Sequence, residues 1–217
     1  IEASAAHGSD AYPNRKLQYS ADTVFVDFNE DGEIQKITGA GKANLTSASA
    51  TAETTVKAYK VEMSFDTADG ESRLSRVNTM GDSQVISKPL PAPGRQPGET
   101  HILSAHSFEL KMRPGGREME SVAGAGPGRV EFLPNLPAQH HRTLDGRDIA
   151  IAYGPENRIE SFRALDARTR TDPTAEERKR NRSVVETASR EFLARFDPKT
   201  GRMASIDQTG DFTYVEG

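Results

Sequence analysis

Val24-Phe25-Val26-Asp27-Phe28-Asn29-Glu30-Asp31-Gly32-Glu33-Ile34-Gln35-Lys36-Ile37 sets three apolar side chains at alternate positions, then a polar turn, then two apolar residues three apart. The same pattern returns at intervals of roughly forty residues: Val61, Met63, Phe65 with Leu74, Val77; Phe108, Leu110, Met112 with Met119, Val122; Ile149, Ile151, Tyr153 with Ile159, Phe162; and Phe192, Ala194, Phe196 with Met203, Ile206. With 35% apolar residues in the chain, five chosen positions are all apolar by chance in roughly 0.5% of segments, so five copies are a repeat. A repeat array buries its core by stacking neighbours, and its working part is an extended surface or groove rather than a point site.

Within each copy, alternation points three side chains to one face of a strand, which must be buried or covered. Glu30-Asp31-Gly32, Ala68-Asp69-Gly70 and Lys199-Thr200-Gly201 place Gly where a hairpin needs positive φ. A spacing of three, as in Ile34 and Ile37, puts the pair on opposite faces of a regular strand, so its fivefold recurrence predicts a β-bulge or bend. A second glycine follows at Gly41, Gly81, Gly126 and Gly210, where the fourth copy has Asp166-Ala167; it predicts a corner into a third strand such as Val130-Glu131-Phe132 or Phe212-Thr213-Tyr214. The expected product is all-β, about fifteen short antiparallel strands with little helix, folded over an apolar lining. A sealed sandwich and an open trough carry the same alternating code, although a trough leaves apolar area exposed until a ligand fills it.

The 217 residues carry a net charge of −4, which gives no basic stripe for nucleic acid, and no run of eighteen apolar residues exists to cross a membrane as a helix. The absence of cysteine excludes disulfides and thiolate zinc sites without choosing a compartment. Residues 1–16 read as a flexible lead-in or first edge, and 17–217 as one continuous array. Because the chain starts at Ile1 rather than Met and stops just after another strand begins, a mature, trimmed or fragmentary stretch is expected. Thr46 to Thr55 reads as strand plus connection. The proline-rich runs Lys88 to Gly98 and Leu133 to Gln139 read as surface loops. In Thr171 to Arg182, Asp172 before Pro173 with Glu176 and Glu177 following predicts at most one short helical turn.

Catalytic and metal signals are thin. His101, His106, His140 and His141 read as loop histidines without helical i,i+4 spacing or a carboxylate partner, and His7 lies in the lead-in. Gly81-Asp82-Ser83 lacks a nucleophile elbow, and Gly124 to Gly128 has no helix behind it to present amides to phosphate. Asp27, Asp66 and Asp197 sit beside hairpin turns, where carboxylates cap local amides. No catalytic residue, metal ligand or cofactor is therefore expected.

Across Val24 to Leu45 and Phe192 to Tyr214, the motif of alternating apolar residues, Phe, Asp or Asn, a Gly turn, two apolar residues three apart and a second Gly resembles the OstA-like repeat of the periplasmic lipopolysaccharide-transport (Lpt) proteins. Ala204 to Gly217 (ASIDQTGDFTYVEG) is similar to the end of one such unit and the start of the next. The resemblance spans residues 17–217 and implies a twisted, open β-jellyroll in the periplasm. Such a fold shields the acyl chains of lipopolysaccharide without enzymatic activity and serves outer-membrane biogenesis as a bridge. It implies partners joined by edge-strand addition: other Lpt-type proteins, or copies of this chain head to tail. The expected lipid-groove residues are Val26, Phe28, Met63, Phe65, Phe108, Leu110, Met112, Ile151 and Phe196. The alternative from the residues alone is a structural or adhesive β-repeat with a closed core that binds protein or glycan.

Overall fold

The computed structural model describes residues 2–6, 16–48, 52–68, 70–90, 96–116, 118–155, 158–198 and 203–217; His7, the Asp69 turn position, the middle of the first proline loop and the Lys199-Thr200-Gly201 turn lie outside them. The strands are β1 (Glu2–Ala6), β2 (Lys16–Ser20), β3 (Thr23–Phe28), β4 (Ile34–Ala48), β5 (Ala52–Ala68), β6 (Glu71–Met80), β7 (Ser83–Pro89), β8 (Thr100–Met112), β9 (Met119–Leu133), β10 (Arg142–Tyr153), β11 (Ile159–Thr171), β12 (Val185–Phe196), β13 (Met203–Thr209) and β14 (Thr213–Glu216). One helical turn, α1 (Ala175–Lys179), interrupts them. All the strands belong to a single antiparallel sheet of 14 strands, so the chain is all-β.

Every predicted bulge is present, at the same place in each repeat. The registers jump between Asp27 and Phe28, Ser64 and Phe65, Lys111 and Met112, Ala152 and Tyr153, and Arg195 and Phe196. In each case the facing strand spends one extra residue just after its first apolar position: Gln35, Ser75, Glu120, Glu160 and Ala204. That extra residue returns the second apolar side chain of the pair to the face of the first. In the first hairpin, Asn29 shapes the turn, its Oδ1 accepting from the backbone N–H groups of Asp31 at 3.1 Å and Glu33 at 2.7 Å.

The predicted corners are also present: the chain breaks into separate strands at Gly81 (β6 to β7) and Gly210 (β13 to β14), whereas β4, β9 and β11 run through theirs. Register skips at Gly41-Lys42 opposite Tyr59 and at His106 opposite Gly126-Pro127, and a break in the pairing with the register kept at Asp166 opposite Arg190, divide the long strands into two halves. The corner residue of every repeat has positive φ: Gly41 (76°), Gly81 (77°), Gly126 (77°), Asp166 (46°) and Gly210 (74°). Asp166 therefore holds the glycine position of the fourth repeat, and Asp is among the few residues whose short polar side chain tolerates this region. The structure has 14 strands where about fifteen are expected, but they are not all short: continuity through the corners of β4, β9 and β11 and in the strands that face them yields strands of up to 17 residues.

Each long strand thus contributes to two half-sheets, one ending in the five hairpin turns and the other in the longer loops. A single hydrophobic core lies between them, drawing Val61, Met63, Phe108, Leu110, Ile151 and Phe162 from the turn half, and Leu45, Val56, Val85, Leu103, Val130 and Leu144 from the loop half. Burial of such side chains contributes about 1.5–3 kcal/mol each. Near the corner, Thr79 is 1% exposed, and its Oγ1 accepts from the Phe108 N–H at 2.7 Å where β6 leaves its partner β8. The proline-rich loops pack together, Asn135 Nδ2 donating to Gly98 O and Gln139 Nε2 to Pro97 O, although Lys88 and Pro89 belong to β7 rather than to a loop. The α1 cap is Thr174, two residues beyond the predicted Asp172; Thr174 and Glu177 form a reciprocal capping box.

Candidate functional site

The interior face is continuous from β3 to β13, and the exposure of its side chains is graded. The deep residues are sealed: Val61 is 0% exposed, Phe108 2%, Met63 4% and Ile151 4%. Towards the hairpin turns the same face is half-buried, at Phe65, Leu74, Met112, Met119, Tyr153, Ile159 and Phe196. The burial environment is apolar enough there to push the Tyr153 phenol up to about 12. At the two ends of the array the face is open: Val26 and Phe28 are 39% and 59% exposed on β3, and Met203 and Ile206 are 45% and 50% exposed on β13.

The nine expected groove residues thus share one face without sharing one environment. Met63, Phe108, Leu110 and Ile151 are core; Phe65, Met112 and Phe196 line the half-buried rim; Val26 and Phe28 lie on β3, which among the described strands pairs only with β4. Sequence reasoning missed Tyr19. Its side chain is 6% exposed, crosses the interior from the loop half and lies against Gly39 of the turn half, where an added Cβ would fall 1.6 Å from Tyr19 Oη. That oxygen has no hydrogen-bond partner, and burial raises the phenol's pKa. Ser189 Oγ is a second buried hydroxyl without a partner, at the far end of the interior.

The loop ends hold the charged chemistry. His141 lies between two carboxylates, Nε2 at 2.7 Å from Glu131 and Nδ1 at 2.9 Å from Asp172. Asp172, and then Glu131, hold the imidazolium above its ordinary range, and His141 in turn holds Asp172 below its own. Asp172 also accepts from Arg170, which reaches Glu186. His140 meets Glu177 at 2.7 Å; the Thr174 backbone N–H is the main cause that lowers Glu177, with His140 second. His101 and His106 are not loop residues, since both lie in β8; His101 stands edge-on to Phe132 at 4.9 Å, and burial lowers its pKa. His140 and His141, read from the sequence as lacking the carboxylate partner of a zinc motif, do meet carboxylates in ion pairs, with partners 37, 31 and 10 residues away in sequence.

Among the described residues no group of three or more metal-ligating side chains is arranged around one point, and no helix is long and apolar enough to cross a membrane. Ser83 is 1% exposed, with Oγ facing the His106 carbonyl at 3.5 Å rather than a base. Clefts of about 360 and 800 Å³ share Arg129 and Asp145 in their linings, the larger one also taking in Ala105 and Pro127, and none of the nine expected groove residues lines either. The chain matches no family model, no curated protein and no solved structure.

Proposed function

We propose that the chain is a non-enzymatic lipid-shielding bridge of the periplasm, an open OstA-like β-jellyroll that shelters lipopolysaccharide acyl chains on their way to the outer membrane. The observation that carries this reading is the half-buried apolar rim, contributed by consecutive repeats and continuous with apolar side chains exposed at both ends. A monomer that seals its core has no need of such a strip, whereas a carrier needs one wherever chains enter. Each sheltered methylene contributes about 0.8 kcal/mol, so a few partly covered acyl chains are held without specific polar contacts. The outer strands β1 and β3 at one end, and β13 and β14 at the other, offer edges for strand addition to other Lpt-type proteins or to further copies of the chain.

The second reading, a structural or adhesive repeat with a closed core, is favoured by the deep residues, Val61 and Phe108 above all, which leave no space between the half-sheets for a ligand. A thermal melt with and without lipopolysaccharide separates the two. Saturation at a hundred times the dissociation constant stabilises a carrier by about 2.7 kcal/mol, or roughly 5–10 °C in a domain of this size. A photo-crosslinking side chain at Met112 on the rim should then capture the lipid, and one at Lys111 on the outer face should not. An unmoved melting temperature and equal labelling at both positions would leave the adhesive reading standing.

A further inference from the structure

Arg129, Arg147, Arg163, Arg170, Arg190 and Arg195 each meet a carboxylate on a neighbouring strand or corner. Arg113 does not. It follows Met112 directly, at the turn end of β8, and its side chain reaches over the hairpin to donate from Nη2 to the Tyr153 carbonyl at 2.5 Å. The residue is half-buried, its Nε is fully buried without a partner, and no described carboxylate pairs with it. A guanidinium kept partly out of water without a counter-ion is costly, and a pinned, planar fork is suited to an oxyanion. In the next repeat Arg158 Nη1 makes the same kind of contact to the Pro198 carbonyl, at 3.0 Å. Guanidinium groups are thus tied to backbone carbonyls at the turn ends of successive repeats, immediately beyond Met112, Tyr153, Ile159 and Phe196 of the apolar rim.

We infer that Arg113 is the headgroup subsite of the rim, and that the ligand it selects is an anionic amphiphile whose phosphate or carboxylate meets the guanidinium while its chain lies along Met112 and Tyr153. The inference rests on the lipid-shielding reading and adds to it the position at which the anionic headgroup is met. An oxyanion at this place supplies the missing counter-charge, and an uncharged amphiphile leaves the guanidinium as it is.

The test uses the full chain and displacement of a fluorescent acyl probe by three competitors below their micellar concentrations: dodecyl phosphate, dodecyl maltoside and inorganic phosphate. Dodecyl phosphate should bind about tenfold more tightly than the maltoside, the effect of one charge-assisted hydrogen-bonded contact. Arg113→Gln should abolish that preference. Arg113→Lys should keep part of it, which guards against misfolding as the cause, and Arg168→Gln on the outer face should keep all of it. Equal affinities for the two amphiphiles, or a preference that survives Arg113→Gln, overturn the assignment of Arg113 and leave the lipid reading intact. Inorganic phosphate competing as well as dodecyl phosphate would overturn the amphiphile class and make the subsite one for a free anion. Failure of every competitor and of the acyl probe to bind would defeat the lipid reading itself.

Discussion

Gly39→Ala tests the packing of the two half-sheets at a single atom. An ideal Cβ there lies 1.6 Å from Tyr19 Oη, 2.6 Å from Tyr19 Cζ and 3.0 Å from Ala21 Cβ. Carbon contacts relax to about 3.5–4 Å, so the ring must leave its seat rather than settle by a few tenths of an ångström. Displacing a buried aromatic side chain costs about 1.5–3 kcal/mol, and replacing Gly by Ala in a strand returns roughly 0.5–1, giving a net loss of about 1–2 kcal/mol. Tyr19→Phe removes the atom of closest approach and also a buried hydroxyl that lacks a partner, so alone it should be neutral or stabilise by about 1 kcal/mol. In the Tyr19→Phe background the remaining clash is with Cζ, and Gly39→Ala should cost less by at least about 0.5 kcal/mol. Urea unfolding of the four proteins, with equal slopes, gives the coupling directly. Additive costs, or a loss below about 0.5 kcal/mol in both backgrounds, would show that Tyr19 does not span the interior.

At the corners, Gly81→Ala meets both a φ of 77° and a Tyr59 Cβ at 2.9 Å, whereas Gly126→Ala meets only the φ. Melting temperatures should fall most for the first, by about 1–3 kcal/mol equivalent, less for the second, and scarcely at all for Asp166→Gly. For pH, the raised pKa of His141 contributes stability that is full below the unfolded value of about 6.5 and lost as pH rises through the folded one. The lowered pKa of His101 acts oppositely, its stability being present above that value and lost as pH falls. Denaturation midpoints of His101→Phe should therefore decline from pH 6 to 8 and those of His141→Gln should rise, in about the range where unperturbed histidine titrates; profiles of the same sign would contradict the assignment. The edge hypothesis predicts that light scattering detects end-to-end association at high concentration, and that Phe28→Lys on β3 abolishes it; a strict monomer up to millimolar concentration would refute it.

Features with a period were legible in the sequence, and features built from single long-range contacts were not. The three-residue spacing of Ile34 and Ile37 announces a bulge because two apolar side chains cannot otherwise reach the same face, and the structure has that bulge five times. The recurrent second glycine announces a corner. Its absence from the fourth repeat reads as a lapse, yet Asp166 occupies the same left-handed conformation and joins Arg147 across the strand. The seat of Tyr19 on Gly39 carries no such signal, since Gly39 stands at a strand position like any other and has no unusual φ. Nor does His141, whose two carboxylates arrive from β9 and from the loop after β11.

The alternating code also conceals what decides function, namely how deep each apolar residue lies. Phe65 and Phe108 have equivalent neighbours in sequence, but Phe108 falls near the corner, where both half-sheets cover it, and Phe65 falls at the bulge beside the turn, where only one does. Depth follows from distance to the corner; among the described residues no strand pairs with the second edge of β3 or of β13, and Val26, Phe28, Met203 and Ile206 are exposed there. On the proposed lipid-shielding reading, apolar chains would be held at the rim and the ends. A substitution in the deep face, such as Phe108→Ala, should lower stability by about 3–5 kcal/mol. One on the rim, such as Met112→Ser, should reduce lipid capture with much less effect on folding. If both act only on stability, the rim is core by another name.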